Sequence, residues 1–303
     1  MNQAIFDRLP ERIKPYLDKG KVADYIPALR LVSPDKFGIV ATYLDGTVYQ
    51  AGDSSEQFSL QSISKIFPLI LALRSMGDEF WHHVGRRLSA KAFNAITPLD
   101  EAKGTPRNPF TNGGAIAILD VLLSLNSNYT KELLAFARQL TGNDAIDFDL
   151  TVAASEKKTG HRNAAIALIL KSYNVLKNQV DDVLDTYFTQ CSLAMSCKDL
   201  SRAFLFLANR GRDPFTDTQI LTPLQSRRIN ALMLMFGTYD AAGDFVFRIG
   251  LPGKSGVGGG LLVIVPEKMT IAAWSPGLDE YGTSVAGFRA LELLIETTDI
   301  SIL

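Results

Sequence analysis

Cysteine and histidine are scarce in this chain of 303 residues, which has 2 cysteines and 3 histidines. The cysteines, Cys191 and Cys197, lie in a stretch typical of a helix, so we expect reduced, structural thiols. The histidines, His82, His83 and His161, show no zinc-ligand spacing. They also argue against a Ser–His–Asp triad, although His161 is not ruled out as a member. We therefore expect no metal and no cofactor.

A charge imbalance and a long apolar run are absent as well. The net charge is −1 and no basic stripe occurs, which argues against a nucleic-acid or membrane-surface partner. No apolar run approaches the length of a membrane span. The first residues, MNQAIFDRLPERIK, lack the basic-then-apolar pattern of a signal peptide. From these observations we expect a cytoplasmic globular protein.

Strand-like segments occur near both ends of the chain. FGIVATY and TVYQAG flank Leu44-Asp45-Gly46, which is a strong hairpin signal. FVFRIG, LLVIVP and MTIAAWS, in the last part of the chain, also have strand composition. One antiparallel sheet built from both termini, with the helical middle packed on it, satisfies this order.

The middle of the chain has helical periodicity, interrupted at residues 98–112, which we predict as a long proline-rich loop. We predict an α/β fold of the α+β type and a single domain, residues 1–303. Its sheet lobe comprises about 1–60 plus 236–303, and its helical lobe about 61–235.

The stretch FSLQSISKIFPLILALR, residues 58–74, joins a strand-like segment to an apolar helix. Ser62 and Lys65 are three positions apart, which on a helix puts them on one face about one turn apart. A hydroxyl in the first turn lies near unpaired N–H groups, and the amine can take its proton. Because an apolar run follows, we expect burial to lower the lysine pKa, as a base requires. Pro68 predicts a kink.

S-x-x-K by itself is a weak pattern, because it also occurs at Ser33–Lys36 and Ser155–Lys158. A turn and a solvated helix end explain those two copies. A second stretch, GKSGVGGG at residues 253–260, is not a phosphate loop, because Arg248 stands where the first glycine would be and a strand follows. Its glycines permit close approach of another segment or of a substrate, to which Lys254 would add positive charge.

S-x-x-K followed by K-S-G on a C-terminal strand resembles the serine β-lactamase and penicillin-binding superfamily. Longer segments from about residue 25 to 287 are similar to the serine-dependent glutaminase family: YIPAL at 25, FSLQSISKIF at 58, NPFTNGGAI at 108, SE at 155, RNAAIA at 162, YFTQCSL at 187, KSGVGGG at 254 and WSPGLDEYGTS at 274. The chain departs from that family at Phe110-Thr111-Asn112-Gly113, where Met-Ile-Asn-Ala is more frequent, at Ala164, where arginine is usual, and at Pro68.

The resemblance implies a β-lactamase/transpeptidase-like fold, a homo-oligomer, a tetramer by family, and hydrolysis of the side-chain amide of L-glutamine to L-glutamate and ammonia. It implies that Ser62 is the nucleophile, Lys65 the general base, and Tyr187 a partner in proton transfer to ammonia. The backbone N–H groups of Ser62 and Val257 would form the oxyanion hole.

The resemblance also assigns the substrate's amino-acid end. Glu156 would bind the α-ammonium, and Asn112, Asn163 and Tyr239 would hydrogen-bond the amino-acid end. Tyr25 would line the pocket. Without the resemblance, Glu156 reads as a surface charge at a helix end, the asparagines as loop and capping residues, and the tyrosines as half-buried aromatics.

Three alternatives stay open at this point. A β-lactam hydrolase or peptidase would use an S-x-N motif, which Ser172-Tyr173-Asn174 supplies, although Ser124-Leu125-Asn126 supplies it too. A non-catalytic amino-acid-binding protein would bind glutamine without releasing ammonia. An asparaginase fits the chemistry, but the family's motifs point to the longer side chain.

Overall fold

The computed structural model describes residues 1–88, 93–298 and 300–302, and its larger sheet is five-stranded and antiparallel. Its order is β2-β1-β8-β7-β6. These strands are β1 (Gly38–Tyr43), β2 (Val48–Gly52), β6 (Gly253–Ser255), β7 (Gly260–Val265) and β8 (Met269–Trp274). The predicted hairpin and the predicted sheet built from both ends of the chain are confirmed.

A second, three-stranded sheet was not predicted. It has the order β3-β5-β4 and consists of β3 (Phe58–Ser59), β4 (Asp147–Phe148) and β5 (Leu193–Met195). Strands of two or three residues are too short to show an alternating pattern in the sequence. This sheet matters for the site, because it holds the chain just before Ser62: the Leu60 N–H donates to the Leu193 carbonyl at 2.9 Å.

Helices fill most of the chain between the outer strands, as predicted. The α-helices are α1 (Gln3–Asp7), α2 (Leu9–Ile13), α3 (Ile66–Met76), α4 (Thr97–Glu101), α5 (Asn112–Leu125), α6 (Tyr129–Thr141), α7 (Leu150–Thr159), α8 (His161–Ser172), α9 (Val180–Cys191), α10 (Cys197–Ala203), α11 (Leu205–Ala208), α12 (Pro223–Phe236), α13 (Ala242–Ile249) and α14 (Val285–Thr298). Short 3₁₀ helices cover Lys14–Tyr16, Leu29–Leu31, Gln61–Lys65, Gly77–His82 and Tyr239–Ala241. No helix in the described ranges is long and apolar enough for a membrane span.

Two predicted elements are wrong. FVFRIG is not a strand: it forms the end of α13, where Phe245 and Ile249 are buried four positions apart and Phe247 is 89% exposed. That burial follows a helical period, and Gly250, in the left-handed conformation, ends the helix. The predicted loop at 98–112 is interrupted, because α4 occupies its start and α5 begins at its last residue, Asn112.

The sheet separates two hydrophobic cores, because successive strand residues point to opposite faces. Ile39 and Ala41 belong to a core that α1, α2 and α14 cover, whereas Val40 belongs to the larger core around α3. Residues 66–73 of α3 are all buried, as expected for a helix that is apolar on every side. Both cysteines are buried free thiols. The division into the two predicted lobes stays a prediction.

Candidate active site

A cleft of about 460 Å³ brings most of the predicted site residues together. Its lining includes seven of them: Tyr25, Ser62, Asn112, Glu156, Asn163, Tyr187 and Val257. The walls come from residues 21–26, from the junction of α7 and α8, and from residues 278–282. Lys65 lies beneath the cleft, and Tyr239 lines a small neighbouring cavity. These residues come from segments far apart in the sequence.

Ser62 lies in the 3₁₀ turn Gln61–Lys65, between β3 and α3. Gln61, just before it, has a φ of +49°, a left-handed conformation that a side chain disfavours and that marks a sharp change of direction. Ser62 and Lys65 are therefore one helical turn apart, as predicted, but that turn is a 3₁₀ helix and not an α-helix. Pro68 lies in the first turn of α3, where its missing N–H is tolerated. The kink predicted at Pro68 stays a prediction.

Lys65 is fully buried, and its ammonium has three hydrogen-bond partners. Nζ donates to the Phe110 carbonyl at 3.1 Å, to Asn112 Oδ1 at 2.6 Å and to the Tyr239 hydroxyl at 3.1 Å. Burial lowers the pKa of Lys65 to about 8, against the opposing attraction of the Glu156 carboxylate. A substantial fraction of this amine is thus neutral slightly above neutral pH, which a general base needs.

The Tyr239 hydroxyl lies close to both Ser62 and Lys65. It accepts a hydrogen bond from Lys65 Nζ, and the nearby Ser62 side chain partly opposes the effect of burial on the pKa of the phenol. Tyr239 has a φ of +56°, and its ring lies 4.7 Å from the ring of Phe93. Burial raises the pKa of its phenol, so the hydroxyl keeps its proton. The sequence placed Tyr239 at the amino-acid end of the substrate, whereas its hydroxyl lies between the predicted nucleophile and base.

Glu156 is a buried carboxylate at the cleft wall, only 6% exposed. The surface-charge interpretation is therefore wrong. Burial raises the pKa of Glu156 to about 7, with the Gln61 hydrogen bond and the Lys65 charge acting in the opposite direction. Within the described residues its Oε2 atom is buried and has no hydrogen-bond partner. Such an acceptor is suited to a cationic group brought by a ligand.

Asn112 and Asn163 are the first-turn residues of two different helices. Thr111 caps α5 by accepting a hydrogen bond from the Gly114 N–H at 3.1 Å, which places Asn112 at the helix start. Asn112 Nδ2 donates to Asn163 Oδ1 at 2.8 Å, while its own oxygen accepts from Lys65. Asn112 therefore links the buried amine to the substrate side of the cleft.

The end of α7 and the start of α8 meet at Gly160. This junction places Glu156 and Asn163 on the same cleft. A Cβ on Gly160 would lie 2.5 Å from the Phe188 ring, so the junction packs tightly against α9. Gly160 is at once the last residue flanking α7 and the first flanking α8.

Tyr187 lies on α9, lines the cleft and is only 2% exposed. It shares a hydrogen bond with the thiol of Cys191, and burial raises the pKa of its phenol. Gln61 and Cys191 also line the cleft, and sequence reasoning did not single them out. The signals were their positions: Gln61 directly precedes Ser62, and Cys191 follows Tyr187 by one helical turn.

Val257 lies in the turn between β6 and β7, on the cleft wall. Trp274 ties this turn to the Ser62 segment: its Nε1 donates to the Gly258 carbonyl at 2.9 Å, and its ring stacks on Phe58 at 5.1 Å. The predicted contribution of Lys254 to the substrate pocket is wrong, because Lys254 is fully buried behind the cleft.

A glutaminase family model matches residues 20–303. The chain belongs to the glutaminase family. It is 49% identical over 302 residues to the glutaminase of Agrobacterium fabrum, covering 99% of this chain and 98% of that protein. It is also 49% identical over 302 residues to the glutaminase of Psychrobacter cryohalolentis, covering 99% of each. The predicted family and enzyme class are confirmed.

Solved glutaminase structures share the fold of this family member. The probable glutaminase ybaS superimposes with a TM-score of 0.92 at 33% identity, covering 100% of this chain and 99% of that one. A probable glutaminase from Bacillus subtilis, complexed with 6-diazo-5-oxo-L-norleucine, has a TM-score of 0.90 at 31% identity, covering 99% and 97%. The mixed α/β architecture with antiparallel sheets is therefore that of known glutaminases.

Proposed function

We propose that the protein hydrolyses the side-chain amide of L-glutamine to L-glutamate and ammonia, through a γ-glutamyl ester on Ser62. The observation that carries this proposal is the grouping of Ser62, Tyr239 and Lys65 beside the cleft, where Lys65 Nζ donates to the Tyr239 hydroxyl and Ser62 lies near that hydroxyl. Glu156, with a buried carboxylate oxygen that lacks a partner in the described part of the chain, lines the same cleft. A nucleophile and a site for an α-ammonium thus share one cavity.

The first step forms the ester. When the Lys65 amine is neutral, it accepts the proton of the Tyr239 hydroxyl as Tyr239 accepts that of Ser62. The Ser62 oxygen then attacks the amide carbon, and the carbonyl oxygen gains negative charge. The backbone N–H groups of Ser62 and Val257 stabilise that charge, and losing one such donor costs about 10²–10³-fold in rate.

The second half of the cycle restores the enzyme. The C–N bond breaks as the amide nitrogen takes the proton held by Lys65, with the protonated Tyr187 hydroxyl sharing that transfer. Ammonia leaves, and water attacks the ester carbon while its proton passes to the base. The C–O bond to Ser62 breaks, the serine regains its proton, and glutamate is released.

The rest of the cleft accounts for recognition of a free amino acid. Glu156 pairs with the α-ammonium, and Asn163 and Asn112 hydrogen-bond the amino-acid end, with Tyr25 at the half-exposed rim. The predicted β-lactamase-like classification is supported by β6, a K-S-G strand at the edge of the sheet beside the Ser62 turn. The cytoplasmic location and the homotetramer remain proposals from the family resemblance.

The test is ammonia release from L-glutamine by the purified protein, with Ser62→Ala and Ser33→Ala as a matched pair. Ser33 starts an exposed S-x-x-K copy, so S33A should keep full activity while S62A loses it. L-Asparagine and nitrocefin serve as alternative substrates. Release that survives in S62A refutes the mechanism, and nitrocefin hydrolysis without ammonia release indicates the β-lactam alternative. Glutamine binding without any release indicates a binding protein.

A further inference from the structure

Lys254 is a second buried amine beside the site, and the reaction proposed above gives it no task. Its side chain is fully buried in β6. Nζ donates to the Gly237 carbonyl at 2.8 Å and to the Ser255 carbonyl at 2.6 Å. In the described ranges no carboxylate pairs with it. Burial, together with the nearby charge of Lys65, holds the pKa of Lys254 well below its usual range. Removing this amine from solvent costs stability, so a purely structural role does not explain it.

The amine of Lys254 lies against two aromatic rings of the site. Nζ is 4.1 Å from the centroid of the Tyr239 ring and 5.7 Å from that of the Phe110 ring. The two hydrogen bonds to the Gly237 and Ser255 carbonyls therefore fix Nζ against the face of the Tyr239 ring.

Tyr239 is a residue that needs external support. Its backbone is left-handed, which is unfavourable for a tyrosine. The turn that leads into it is held by β6: the Gly237 carbonyl accepts from Lys254 Nζ and also from the Ser255 N–H at 3.2 Å. A Cβ on Gly237 would lie 1.8 Å from the Gly253 oxygen, so the turn lies directly against this strand.

We propose that Lys254 is a positioning residue for amide hydrolysis, holding the Tyr239 hydroxyl between Ser62 and Lys65. It binds both the turn that carries Tyr239, through the Gly237 carbonyl, and the ring itself. This inference rests on the proposed function. Lys254 lies behind Tyr239 and does not contact the substrate, so its removal changes the turnover step rather than glutamine binding.

The test is a double-mutant cycle of Lys254→Met and Tyr239→Phe, with Lys268→Met as the control. Lys268 is an exposed lysine at the far end of the β7–β8 turn, so K268M should match the wild type. We expect K254M to lower kcat by about tenfold or more with KM changed less than about threefold. Because Lys254 acts through Tyr239, K254M should have almost no further effect in the Y239F background.

Independent losses that multiply in the double variant would overturn this inference, and so would wild-type kcat in folded K254M. If K254M does not fold, Lys254→Gln replaces it, because the amide keeps a donor for the carbonyls and removes the amine that packs on the Tyr239 ring. Wild-type protein that releases no ammonia would overturn the proposed function and this inference with it. Wild-type release combined with multiplicative losses would overturn this inference alone.

Discussion

At the scale of single residues, burial gives ordinary side chains unusual chemistry. Lys65 and Glu156 are both buried, and desolvation moves their pKa values towards neutrality from opposite directions, to about 8 and about 7. The lysine becomes a usable base. Burial disfavours the ionised form of Glu156, and a cationic group of a ligand at its unpartnered oxygen would restore it. Both effects depend on the residues packed around them, and not on the two side chains themselves.

The pH dependence of kcat/KM tests the state of Lys65. Since the Lys65 amine must be neutral and the Glu156 carboxyl ionised, kcat/KM should rise with pH up to about 8 and then level off, by about tenfold per pH unit between about 7 and 8 and more steeply below about 7. In Glu156→Gln, the negative charge that raises the Lys65 pKa is gone, so the midpoint should move to lower pH. A pH-independent kcat/KM between pH 6 and about 9 would contradict the assignment of Lys65 as the base.

Glutamine binding tests Glu156 directly. Glu156→Gln removes the charge that pairs with the α-ammonium, so kcat/KM should fall by about 30-fold or more, mainly through KM. Glu280→Gln is the matched control, because Glu280 is an exposed carboxylate at the rim of the same cleft. Equal effects of the two substitutions would mean that the general negative charge of the cleft, and not Glu156, attracts the substrate.

At the scale of elements, the site depends on how closely the turn between β6 and β7 approaches the Ser62 segment. A Cβ on Gly258 would lie 2.0 Å from the Ser59 carbonyl oxygen, and one on Gly256 would lie 2.4 Å from that of Leu60. The glycines therefore permit a backbone contact that brings Val257 next to the nucleophile. This confirms the expectation that GKSGVGGG allows close approach of another segment.

Gly258→Ala should push the turn between β6 and β7 away from the Ser62 segment. This movement would displace the Val257 N–H from the carbonyl oxygen of the substrate. We expect kcat to fall by about 10²-fold, the usual cost of losing one oxyanion donor. Gly243→Ala is the control, because nothing lies within 4 Å of a Cβ at that exposed position in α13. Wild-type kcat in a folded G258A variant would show that the turn does not position a catalytic donor.

At the scale of the whole molecule, the cleft is separate from the hydrophobic core that α1, α2 and α14 cover, which we call the outer core. The core on the far face of the sheet is formed by Phe6, Leu9 and Ile13 from the start of the chain, with residues of α14 from its end. The cleft is lined by residues from Lys21 onward. Stability and catalysis should therefore respond to different substitutions.

Phe6→Ala should lower the free energy of unfolding by about 3–5 kcal/mol, because Phe6 is fully buried and its truncation leaves a cavity. Phe247→Ala, at a side chain that is 89% exposed, should change it by less than about 0.5 kcal/mol. Urea unfolding measures both, and kcat at low temperature should stay unchanged in both. A large loss of kcat in folded F6A would show that the outer core and the cleft are coupled.

The sequence by itself determined the elements that have a local signal. The Asp45-Gly46 turn between alternating strands predicted the hairpin, and the apolar run after Lys65 predicted a buried helix and a buried amine. Specific motifs were enough to indicate the family. FVFRIG was misassigned because, over six residues, an aromatic and β-branched composition does not distinguish a strand from an amphipathic helix.

Only the tertiary structure decided how the site residues meet. Lys65, Asn112, Asn163 and Tyr239 are joined by hydrogen bonds between segments that lie up to 174 positions apart. No local pattern encodes such contacts. The same holds for the burial of Glu156 and Lys254. The sequence alone suggested a surface charge for Glu156 and a charge facing the substrate for Lys254, whereas the packed strands and helices exclude solvent from both.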